Sequence, residues 1–429
     1  MKILEINKFN HVRGGADKHF VDLVKLLNSN GNEAAVFSMS HPKNLHSDFS
    51  NHFVSRVDYE NGGAINKIKG GLRIFWSFEA RRKIAKILDE FRPDVVHIHN
   101  IYHQISPSIL PEIKKRGIPI VMTVHDWKLI CPNYLLNCEV AGDKPQKNRC
   151  GEHSPEQNII SGSEKSAEKQ YFSAKADEKP YCEKCVAGKY WHCVPKKCVK
   201  NSYLKSLISV LGIYFHRWLG IYEKNVDLFI APSRFVRNIL VQAGFSEGKI
   251  KVLPHFANIR NAHSAPAAGG EKFALYFGRI SKEKNIDELT EIFRDMPIKL
   301  VLAGSKESGF DIPLCANTEY AGFKNNIELN KLIQESVFVV SASRLPETFG
   351  LIALEAISAG KPFVGYKTGG YDEIIENGQN GYLANNQKEF KDKIMAYASG
   401  NKPNFEFPAE KFNPEKYNRD IIDIFRSVC

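Results

Sequence analysis

Residues 341–364 have the sequence SASRLPETFGLIALEAISAGKPFV. They follow the apolar run VFVV, which predicts a buried strand, and LIALEAIS predicts a helix that ends at Gly360 before another strand begins after Pro362. A strand, a helix and a second strand in this order form the βαβ unit of a parallel sheet. Glu347 lies just before the predicted helix and Glu355 lies inside it, so two acids flank an apolar segment.

The same alternation of short apolar runs and helical segments continues along the chain. The strand-like runs are KILEIN, EAAVFSM, PDVVHIH, IPIVMTVHD and LFIAPS in the first part, and FALYFG, IKLVLAG and VFVVSAS in the second. ADKHFVDLVKLLNSNG and NIDELTEIFRDM have apolar residues at helical spacing. A small, polar stretch, NIRNAHSAPAAGGEK at 258–272, predicts a linker. The pattern therefore predicts an α/β protein with two domains and parallel sheets.

Length and composition fit a soluble globular protein. The 429 residues are enough for two domains, and 43% apolar with 25% charged residues is an ordinary proportion. No apolar run approaches the roughly 20 residues that cross a membrane, and MKILEIN lacks the features of a secretory signal. We therefore expect a cytoplasmic protein. The formal charge of +11 favours an anionic partner, which could be a nucleotide, a nucleic acid, a lipid diphosphate or an acidic membrane surface.

Polar residues follow several predicted strands of the first part, at the sheet edge where open parallel sheets bind ligands. Gly14 and Gly15 open a helix after the first strand, and glycine lets an anion approach a helix N-terminus closely. His125 follows the strand IPIVMTV. An ordinary βα turn and a structural histidine are the alternative interpretations. His97 and His99 end another strand and have weaker claims to a functional role.

Charged residues follow the strands of the second part. Arg279 and Lys284 lie in the loop after FALYFG, where cations suit a diphosphate, although a basic surface loop is the alternative. The eight residues from Glu347 to Glu355 span roughly 12 Å in a helix. An extended nucleotide-diphosphate sugar has a similar reach. One carboxylate could accept hydrogen bonds from sugar hydroxyls and the other from ribose hydroxyls, with the diphosphate at the helix start. Two acids at this interval also occur by chance.

Seven of the nine cysteines fall between residues 131 and 198. In a cytoplasmic protein this clustering indicates metal binding rather than disulfides. Four of them have the spacing C-x2-C-x7-C-x4-C, which suits a structural zinc. These four are Cys182, Cys185, Cys193 and Cys198. The side chains that could substitute as ligands or build a second site are Cys131, Cys138, Cys150, His153 and His192. A set of buried free thiols is the alternative.

Taken together, these blocks resemble glycosyltransferase family 4, the retaining, nucleotide-sugar-dependent transferases with the GT-B fold, over nearly the whole chain. The resemblance rests on the Gly-Gly loop, HD after a strand, APSRF near residue 231, GRISKEKNIDEL, and PETFGLIALEAISAGKPFV with TGGYDEII and NGYL. The stretch from HDWKLICPNY to CEKCVAGKYWHCVPKKC resembles a subgroup with a cysteine-rich insertion, often found in bacterial polysaccharide assembly. The resemblance implies two Rossmann-like domains with parallel sheets that face a central cleft.

The resemblance also implies a domain organisation. An acceptor-side domain would span residues 1–262, with the cysteine-rich, zinc-binding insertion at 131–200. A donor-binding domain would span residues 263–405, and a helix within 406–429 would cross back to the first domain.

Finally, the resemblance assigns roles to the matching residues. The catalytic residues would be His125, Glu347, Arg279 and Lys284, with His125 near the transferred sugar, Glu347 on its hydroxyls and the two cations on the departing diphosphate. The donor-binding residues would be Gly14, Gly15, Arg279, Lys284, Glu347, Phe349, Gly350, Leu351 and Glu355. In this set residues 349–351 offer backbone N–H groups and Glu355 holds the ribose. The family transfers sugars with retention and uses no catalytic divalent metal, so any zinc would be structural.

Alternatives to this function and a question of location stay open in the sequence. A sugar-nucleotide epimerase or a glycoside phosphorylase on a related fold is the alternative enzyme. A zinc-ribbon nucleic-acid-binding protein is a remoter alternative, because such modules are short and these cysteines interrupt a two-domain chain. YLKSLISVLGIYFHRWLGIY at 203–222 predicts either a core helix or a helix that docks on the inner membrane surface, where a lipid-linked saccharide acceptor would lie.

Overall fold

The computed structural model describes residues 1–56, 71, 73–137, 181–257, 271–401, 403 and 405–429. The strands form two separate sheets of six strands each, and all neighbouring strands are parallel. This confirms the predicted α/β class with two parallel sheets. The predicted domain boundary between residues 262 and 263 lies outside the described residues. Among the helices of the described ranges, none is both long and apolar enough to cross a bilayer.

The first sheet has the strand order β2-β1-β3-β4-β5-β6. Its strands are β1 (Lys2–Ile6), β2 (Glu33–Phe37), β3 (Val95–Ile98), β4 (Ile120–Thr123), β5 (Leu228–Ala231) and β6 (Ile250–Val252). The helices of this part are α1 (Gly15–Ser29), α2 (Phe78–Phe91), α3 (Tyr102–Ile105), α4 (Leu110–Lys114), α5 (Glu183–Val186), α6 (Tyr203–Leu219), α7 (Ile221–Asn225) and α8 (Arg234–Gln242). Helices cover both faces of the sheet, which is why its central strands are continuous aliphatic runs.

The second sheet has the strand order β12-β11-β10-β7-β8-β9. Its strands are β7 (Phe273–Phe277), β8 (Lys299–Ala303), β9 (Thr318–Gly322), β10 (Phe338–Ser341), β11 (Phe363–Tyr366) and β12 (Gly381–Ala384). The helices are α9 (Ile286–Phe293), α10 (Asn326–Glu335), α11 (Leu351–Ser358), α12 (Gln387–Ala398) and α13 (Pro414–Arg426). This is the doubly wound order, which turns in opposite directions from β7 and β10 and opens a crevice between their C-terminal ends.

The strands that the sequence did not predict are β6, β9 and β12, and each lies at an edge of its sheet. β6 and β9 are partly exposed and lack the long apolar run of a central strand, whereas β12 is mostly buried but only four residues long. β9 shows the exposure clearly, since only the first residue of TEYAG is buried. The strand-like runs noted in the sequence all coincide with observed strands.

The last helix, α13, packs against the first sheet rather than the second. Its residues Tyr417, Ile421, Ile422 and Phe425 share one buried cluster with residues of β1, α1, β3 and β5. The hydroxyl of Tyr417 lies 3.2 Å from Nε2 of His19 in α1. The C-terminal segment therefore contributes to the core of the first domain.

Replacing Phe425 with alanine should destabilise the first domain by about 3–5 kcal/mol, because the ring is fully buried and leaves a cavity when it is removed. Urea unfolding would measure the loss. Arg426→Ala is the matched control, since the neighbouring side chain is 68% exposed and its removal should change stability little. Equal stability of the two variants would contradict this contribution of α13.

Candidate functional site

The loops after β7 and β10 lie side by side at the crevice of the second domain. The first loop carries Arg279 and Lys284, and the second carries Glu347. Nζ of Lys284 donates a hydrogen bond to Oε1 of Glu347, and the hydroxyl of Ser343 donates to the same oxygen at 3.1 Å. The side chains of Lys284 and Glu347 are 21% and 19% exposed, so a ligand can reach the pair from the crevice.

Glycines fix the backbone around Glu347. Gly350 precedes α11 with φ +104, and a Cβ there would lie 2.3 Å from Cε1 of Tyr371. A Cβ on Gly369 would lie 2.0 Å from the carbonyl oxygen of Glu347, to which the N–H of Gly370 donates at 2.8 Å. Only glycine allows these close approaches. The loop is therefore held in one conformation directly before the helix.

The start of α11 can bind an anion. Among the described residues, no hydrogen bond uses the backbone N–H groups of Phe349, Gly350 or Leu351. Unpaired N–H groups at a helix start carry partial positive charge and bind phosphates in many proteins. These three N–H groups were predicted from the resemblance, and they belong to the residues that follow Glu347 at the start of α11.

Gly350→Ala should weaken binding of the nucleotide sugar that the resemblance implies by at least about tenfold, because the methyl group meets the ring of Tyr371 and the residue must keep a left-handed backbone. Gly309→Ala is the matched control. Gly309 also has a positive φ, +79, but its Cβ would meet no atom within 4 Å. Titration calorimetry on both variants separates the steric effect from backbone strain, and equal affinities would contradict the predicted role of Gly350.

Hydrogen bonds join this loop to the first domain across the cleft. Nε1 of the buried Trp127 donates to the carbonyl oxygen of Pro346 at 2.7 Å. The hydroxyl of Thr348 donates to the carbonyl oxygen of His125 at 3.0 Å, and the hydroxyl of Ser233 donates to the carbonyl oxygen of Thr348 at 2.7 Å. The segment after β4 and the segment after β10 are therefore in direct contact, with His125 next to the loop of Glu347.

Of the two glycines predicted at the start of α1, Gly15 faces α11. A Cβ on Gly15 would lie 2.8 Å from Cδ1 of Leu351, so the two helix starts are in contact. A Cβ on Gly14 would meet nothing within 4 Å, which leaves open space on that side of the loop.

Arg279 and Glu355 lie at the periphery of this arrangement. Arg279 forms an ion pair with Glu283 in the same loop. Burial lowers the pKa of Arg279, but Glu283 and Tyr134 of the first domain more than offset this and raise it. Glu355 lines a cavity between α1 and α11, together with Lys18 and Asp22. Glu355 therefore lies one helical turn beyond Leu351, on the side of α11 that faces the first domain.

His125, which is half-buried, packs against a cluster of buried histidines that the sequence did not reveal. Its ring stacks between those of His99 and His255, at centroid distances of 5.0 and 5.1 Å, and His19 lies 5.6 Å away. Burial, reinforced by His99 and His255, holds the pKa of His125 well below its ordinary value. The ring is therefore neutral at physiological pH. The sequence signal for this cluster is a histidine at the end of each of two adjacent strands, but His19 and His255 have no such pattern.

The cysteines form a compact cluster outside the cleft. The ligating atoms of Cys182, Cys185 and His192 all lie within 4.8 Å of one another. Nε2 of His192 is 3.2 Å from Sγ of Cys182, 3.8 Å from Sγ of Cys185 and 3.6 Å from Sγ of Cys193. Sγ of Cys185 is 3.9 Å from Sγ of Cys193. In a tetrahedral zinc site with Zn–S of about 2.3 Å and Zn–N of about 2.0 Å, ligand atoms are about 3.5–3.8 Å apart. These residues therefore fit a zinc ion.

The structure places His192 beside the predicted zinc ligands. His192 contacts three of the sulfur atoms, although the sequence treated it only as a substitute ligand. Cys131 and Cys198 belong to the same buried cluster as Cys185 and Cys193. The backbone N–H of Cys198 donates to the carbonyl oxygen of Cys193 at 3.0 Å, whereas the thiol of Cys131 donates to Oδ1 of Asn133 at 2.8 Å. The predicted candidates Cys138, Cys150 and His153 lie outside the described residues.

A second group with metal-ligating atoms is Glu5, His97 and His99, whose atoms also lie within 4.8 Å of one another. Here the nitrogen–oxygen distances of 2.9–3.0 Å are those of hydrogen bonds, and each histidine has a second hydrogen-bonding partner. We therefore interpret this group as a hydrogen-bonded network.

The protein has two Rossmann-like domains whose facing sheet edges enclose a cleft, and a lysine–carboxylate pair lies beside a helix start in this cleft. This architecture defines the class of GT-B transferases. Residues 258–407 match the family model "Glycosyl transferases group 1", and residues 13–147 match the family model "Glycosyltransferase Family 4". The two matches cover more than half of the chain, and the chain belongs to these glycosyltransferases. Neither match includes the cysteines at 182–198, so their assignment to a subgroup stays a prediction.

Several curated proteins are similar to this chain. An uncharacterised glycosyltransferase of Methanocaldococcus jannaschii is 27% identical over 195 residues, which are 44% of this chain and 53% of that protein. An uncharacterised 42.6 kDa protein in the cps region of Klebsiella pneumoniae is 23% identical over 392 residues, 87% of each chain. The GDP-mannose:cellobiosyl-diphosphopolyprenol alpha-mannosyltransferase of Xanthomonas oryzae is 25% identical over 190 residues, 40% of this chain and 46% of that protein. The chain thus spans about half the length of the first and third relatives and most of the second.

Solved structures show the same fold. Anabaena HepE in complex with UDP and glucose has a TM-score of 0.58 and 16% identity, and the alignment covers 100% of both chains. Sucrose-phosphate synthase from Thermosynechococcus elongatus has a TM-score of 0.61 and 14% identity, with 100% of this chain and 99% of that one covered. At these identities the likeness establishes the architecture.

Proposed function

We propose that this glycosyltransferase moves a hexose from a nucleoside-diphosphate donor to a hydroxyl of a saccharide or lipid-linked acceptor, with retention of the anomeric configuration. One observation carries the proposal. The loop of Glu347 touches Lys284 on one side and the segment of His125 on the other, at the crevice where doubly wound sheets bind ligands. A cation, a hydroxyl-binding carboxylate and a neutral histidine thus converge beside a helix start.

The charges of this site suit a diphosphate with a sugar on one end. Lys284 and the free N–H groups before α11 would bind the phosphate oxygens, and Arg279 supplies a second cation nearby. The carboxylate of Glu347 accepts hydrogen bonds only, so hydroxyls of the transferred sugar are suitable partners. Glu355, farther along α11, would accept from the ribose. The donor would therefore lie along α11, with its sugar toward His125.

The same geometry supports retention. The bond from the anomeric carbon to the diphosphate breaks as positive charge develops on the sugar ring and negative charge on the leaving group. Lys284 and the helix start stabilise the leaving group, which is the main contribution of the enzyme. A phosphate oxygen of that group lies on the same face as the incoming acceptor and can take its proton. No side chain has to act as a strong base, and the new bond forms on the face that the diphosphate leaves.

The names of related proteins support the donor and acceptor classes. HepE was crystallised with UDP and glucose, and the Xanthomonas relative uses GDP-mannose and a diphosphopolyprenol-linked saccharide. The Klebsiella relative is encoded in a cps region. We infer from them a nucleotide-sugar donor, a lipid-linked or saccharide acceptor, and a role in polysaccharide or glycoconjugate assembly.

A binding and turnover screen tests the proposal. UDP-glucose, UDP-galactose, UDP-N-acetylglucosamine and GDP-mannose are each added to the protein, and a ligand that binds the folded state should raise Tm. The selected donor is then incubated with the protein with and without a saccharide acceptor. Glycosylated acceptor with retained configuration is expected, and Glu347→Gln should abolish its formation.

Product formation without acceptor would indicate an epimerase, and dependence on inorganic phosphate would indicate a phosphorylase. Salt-dependent nucleic-acid binding without donor binding would overturn the proposal.

We further propose that the cysteine cluster holds a structural zinc. The ligating atoms of Cys182, Cys185 and His192 lie within 4.8 Å of one another, and Sγ of Cys193 is 3.9 Å from Sγ of Cys185 and 3.6 Å from Nε2 of His192. Cys185 is fully buried. The cluster lies between the loop after β4 and α6, so the ion would hold these two parts of the chain together. We expect no catalytic metal in the cleft.

Helix α6 carries an apolar outer face that suits a membrane surface. Its residues Ser206, Val210 and Ile213 are buried, whereas Leu204, at 65% exposure, and Trp218, at 80%, are on the outside together with Leu211. The exposed lysines on and before this helix are Lys196, Lys200 and Lys205. An apolar face beside cations suits an anionic bilayer, and we propose that α6 docks there, close to a lipid-linked acceptor.

Leu204→Ser combined with Trp218→Ser should reduce binding to vesicles of phosphatidylglycerol by at least about tenfold, because both exposed apolar side chains are lost. Phe323→Ser is the control, since Phe323 is 59% exposed but lies in the second domain. Co-sedimentation measures binding, and neutral phosphatidylcholine vesicles test the role of charge. Equal sedimentation of the two variants would contradict docking through α6.

A further inference from the structure

A buried carboxylate lies behind His125. Glu5 in β1 pairs in register with His97 in β3, so the two side chains lie on the same face of the sheet, and His99 lies two residues farther on that face. All three side chains are at most 1% exposed. The catalytic arrangement described above uses none of them, although buried charged groups are costly and rarely retained without a role.

Hydrogen bonds connect Glu5 to His125 through His99. Oε2 of Glu5 is 2.9 Å from Nε2 of His99, and Nδ1 of His99 is 2.7 Å from Nε2 of His125. A parallel branch runs from Glu5 to Nδ1 of His97 at 3.0 Å, and from Nε2 of His97 to the hydroxyl of Thr123 at 2.8 Å. The first branch ends in the cleft, and the second ends within the sheet.

The first branch determines which nitrogen of each ring carries a proton. Burial alone would raise the pKa of Glu5, but His97 and His99 lower it to about 2, so Glu5 is an ionised acceptor. Nε2 of His99 must therefore donate to it. Burial lowers the pKa of His99 to about 4, so that ring is neutral and its Nδ1 can only accept. Nε2 of His125 must then donate to Nδ1 of His99.

This leaves Nδ1 of His125 without a proton, because His125 is also neutral. Within the described ranges, no hydrogen bond involves Nδ1 of His125. The ring is partly exposed, and the backbone of the same residue is held by Thr348 from the second domain. The one unused ring nitrogen is thus a hydrogen-bond acceptor on a residue at the cleft.

We propose that Glu5 and His99 are positioning residues that fix His125 in the tautomer with a bare Nδ1, so that this atom accepts a hydrogen bond from a hydroxyl of the transferred sugar. The inference rests on the proposed function for the identity of the hydroxyl. The tautomer itself follows from the hydrogen-bond network alone. The carboxylate of Glu5, separated from the sugar by His99 and His125, would thereby determine that the sugar hydroxyl donates to His125.

Two matched substitutions separate positioning from folding. His99→Gln keeps a donor for Glu5 at the position of Nε2 but removes the acceptor for His125. His97→Asn keeps a donor for the same carboxylate at the position of Nδ1 and leaves the branch to His125 intact. Both variants perturb the same buried carboxylate, so their losses in Tm should be similar. Only His99→Gln should allow His125 to adopt the other tautomer, in which Nδ1 carries the proton.

The decisive measurement is nitrogen NMR of protein labelled with ¹⁵N-histidine, with His125→Gln used to assign the signals. A bare ring nitrogen resonates far downfield of a protonated one. Wild type and His97→Asn should show Nδ1 of His125 bare, and His99→Gln should show it protonated in part or in full.

The KM for the nucleotide sugar selected by the binding screen should rise about five- to tenfold in His99→Gln, the effect of one lost hydrogen bond, with a smaller change in kcat.

A protonated Nδ1 of His125 in the wild type would overturn the inference, as would an unchanged tautomer in His99→Gln. The NMR measurement needs no sugar nucleotide. A failure of all nucleotide sugars to bind would therefore overturn the proposed function and the role of the sugar hydroxyl, whereas the NMR result would still decide the tautomer.

Discussion

Replacing Lys284 with alanine should reduce kcat for sugar transfer by about 10²–10³-fold, with a smaller change in donor KM. Lys284 lies at the crevice of the second domain in contact with Glu347. Negative charge on the leaving diphosphate is larger in the transition state than in the bound donor, and a fixed cation in a partly dry site therefore acts mainly on kcat. Steady-state kinetics with the selected donor and acceptor measures both constants.

Lys282→Ala is the matched control for this prediction. Lys282 belongs to the same loop and has the same charge, but its side chain is exposed to solvent. Its removal changes the net charge equally and should alter kcat less than about twofold, since a distant exposed charge is screened by salt. If Lys282→Ala and Lys284→Ala were equally active, the contact with Glu347 would have no catalytic importance. If Lys284→Ala changed only KM, Lys284 would bind the donor without stabilising the transition state.

Removing the proposed zinc should lower the Tm of the first domain by about 10 °C or more. Structural zinc sites contribute their binding free energy to folding, and about 1 kcal/mol corresponds to about 2–4 °C in a domain of this size. Cys185→Ser should have the same effect, because Cys185 is fully buried and contacts His192 and Cys193. Calorimetry measures Tm, and elemental analysis should find about one zinc per chain in the wild type and none in Cys185→Ser.

Cys315→Ser is the control for the zinc prediction. Cys315 is a free cysteine of the second domain, with its thiol near Thr290 and Thr318. It should keep the zinc content and Tm of the wild type. A wild-type protein without zinc, whose Tm did not change on treatment with a chelator, would show that the cluster is a set of buried thiols. A zinc content retained in Cys185→Ser would show that the ion binds elsewhere.

Much of the fold was predictable because central strands of parallel sheets are apolar along their whole length. The runs around Ile3, Val96, Met122, Leu275 and Val339 coincide with strands. The edge strands β6 and β9 were missed because partial exposure removes that signal, and β12 was missed because its apolar run is short. The cysteine spacing predicted a metal site, but a sequence cannot show that a histidine points at the sulfur atoms, since ring orientation depends on packing.

Candidate site residues were predictable one at a time and not as partners. The sequence placed His125, Arg279, Lys284 and Glu347 after strands, and the parallel sheets bring such positions to a common edge. It could not pair Lys284 with Glu347, which are 63 residues apart, or Thr348 with His125, which are 223 residues apart. It also gave no reason to connect Glu5 with His125.

The sequence by itself determined the local elements of this protein, because the spacing of apolar residues selects strands and helices and glycines select the turns between them. In this way the sequence determined the order of a strand, the loop with Glu347 and an apolar helix. The tertiary structure alone decided which charges meet, how the two domains contact each other across the cleft, and which nitrogen of His125 is left as an acceptor. These features depend on hydrogen bonds between residues far apart in the chain, whose geometry exists only after both sheets have packed.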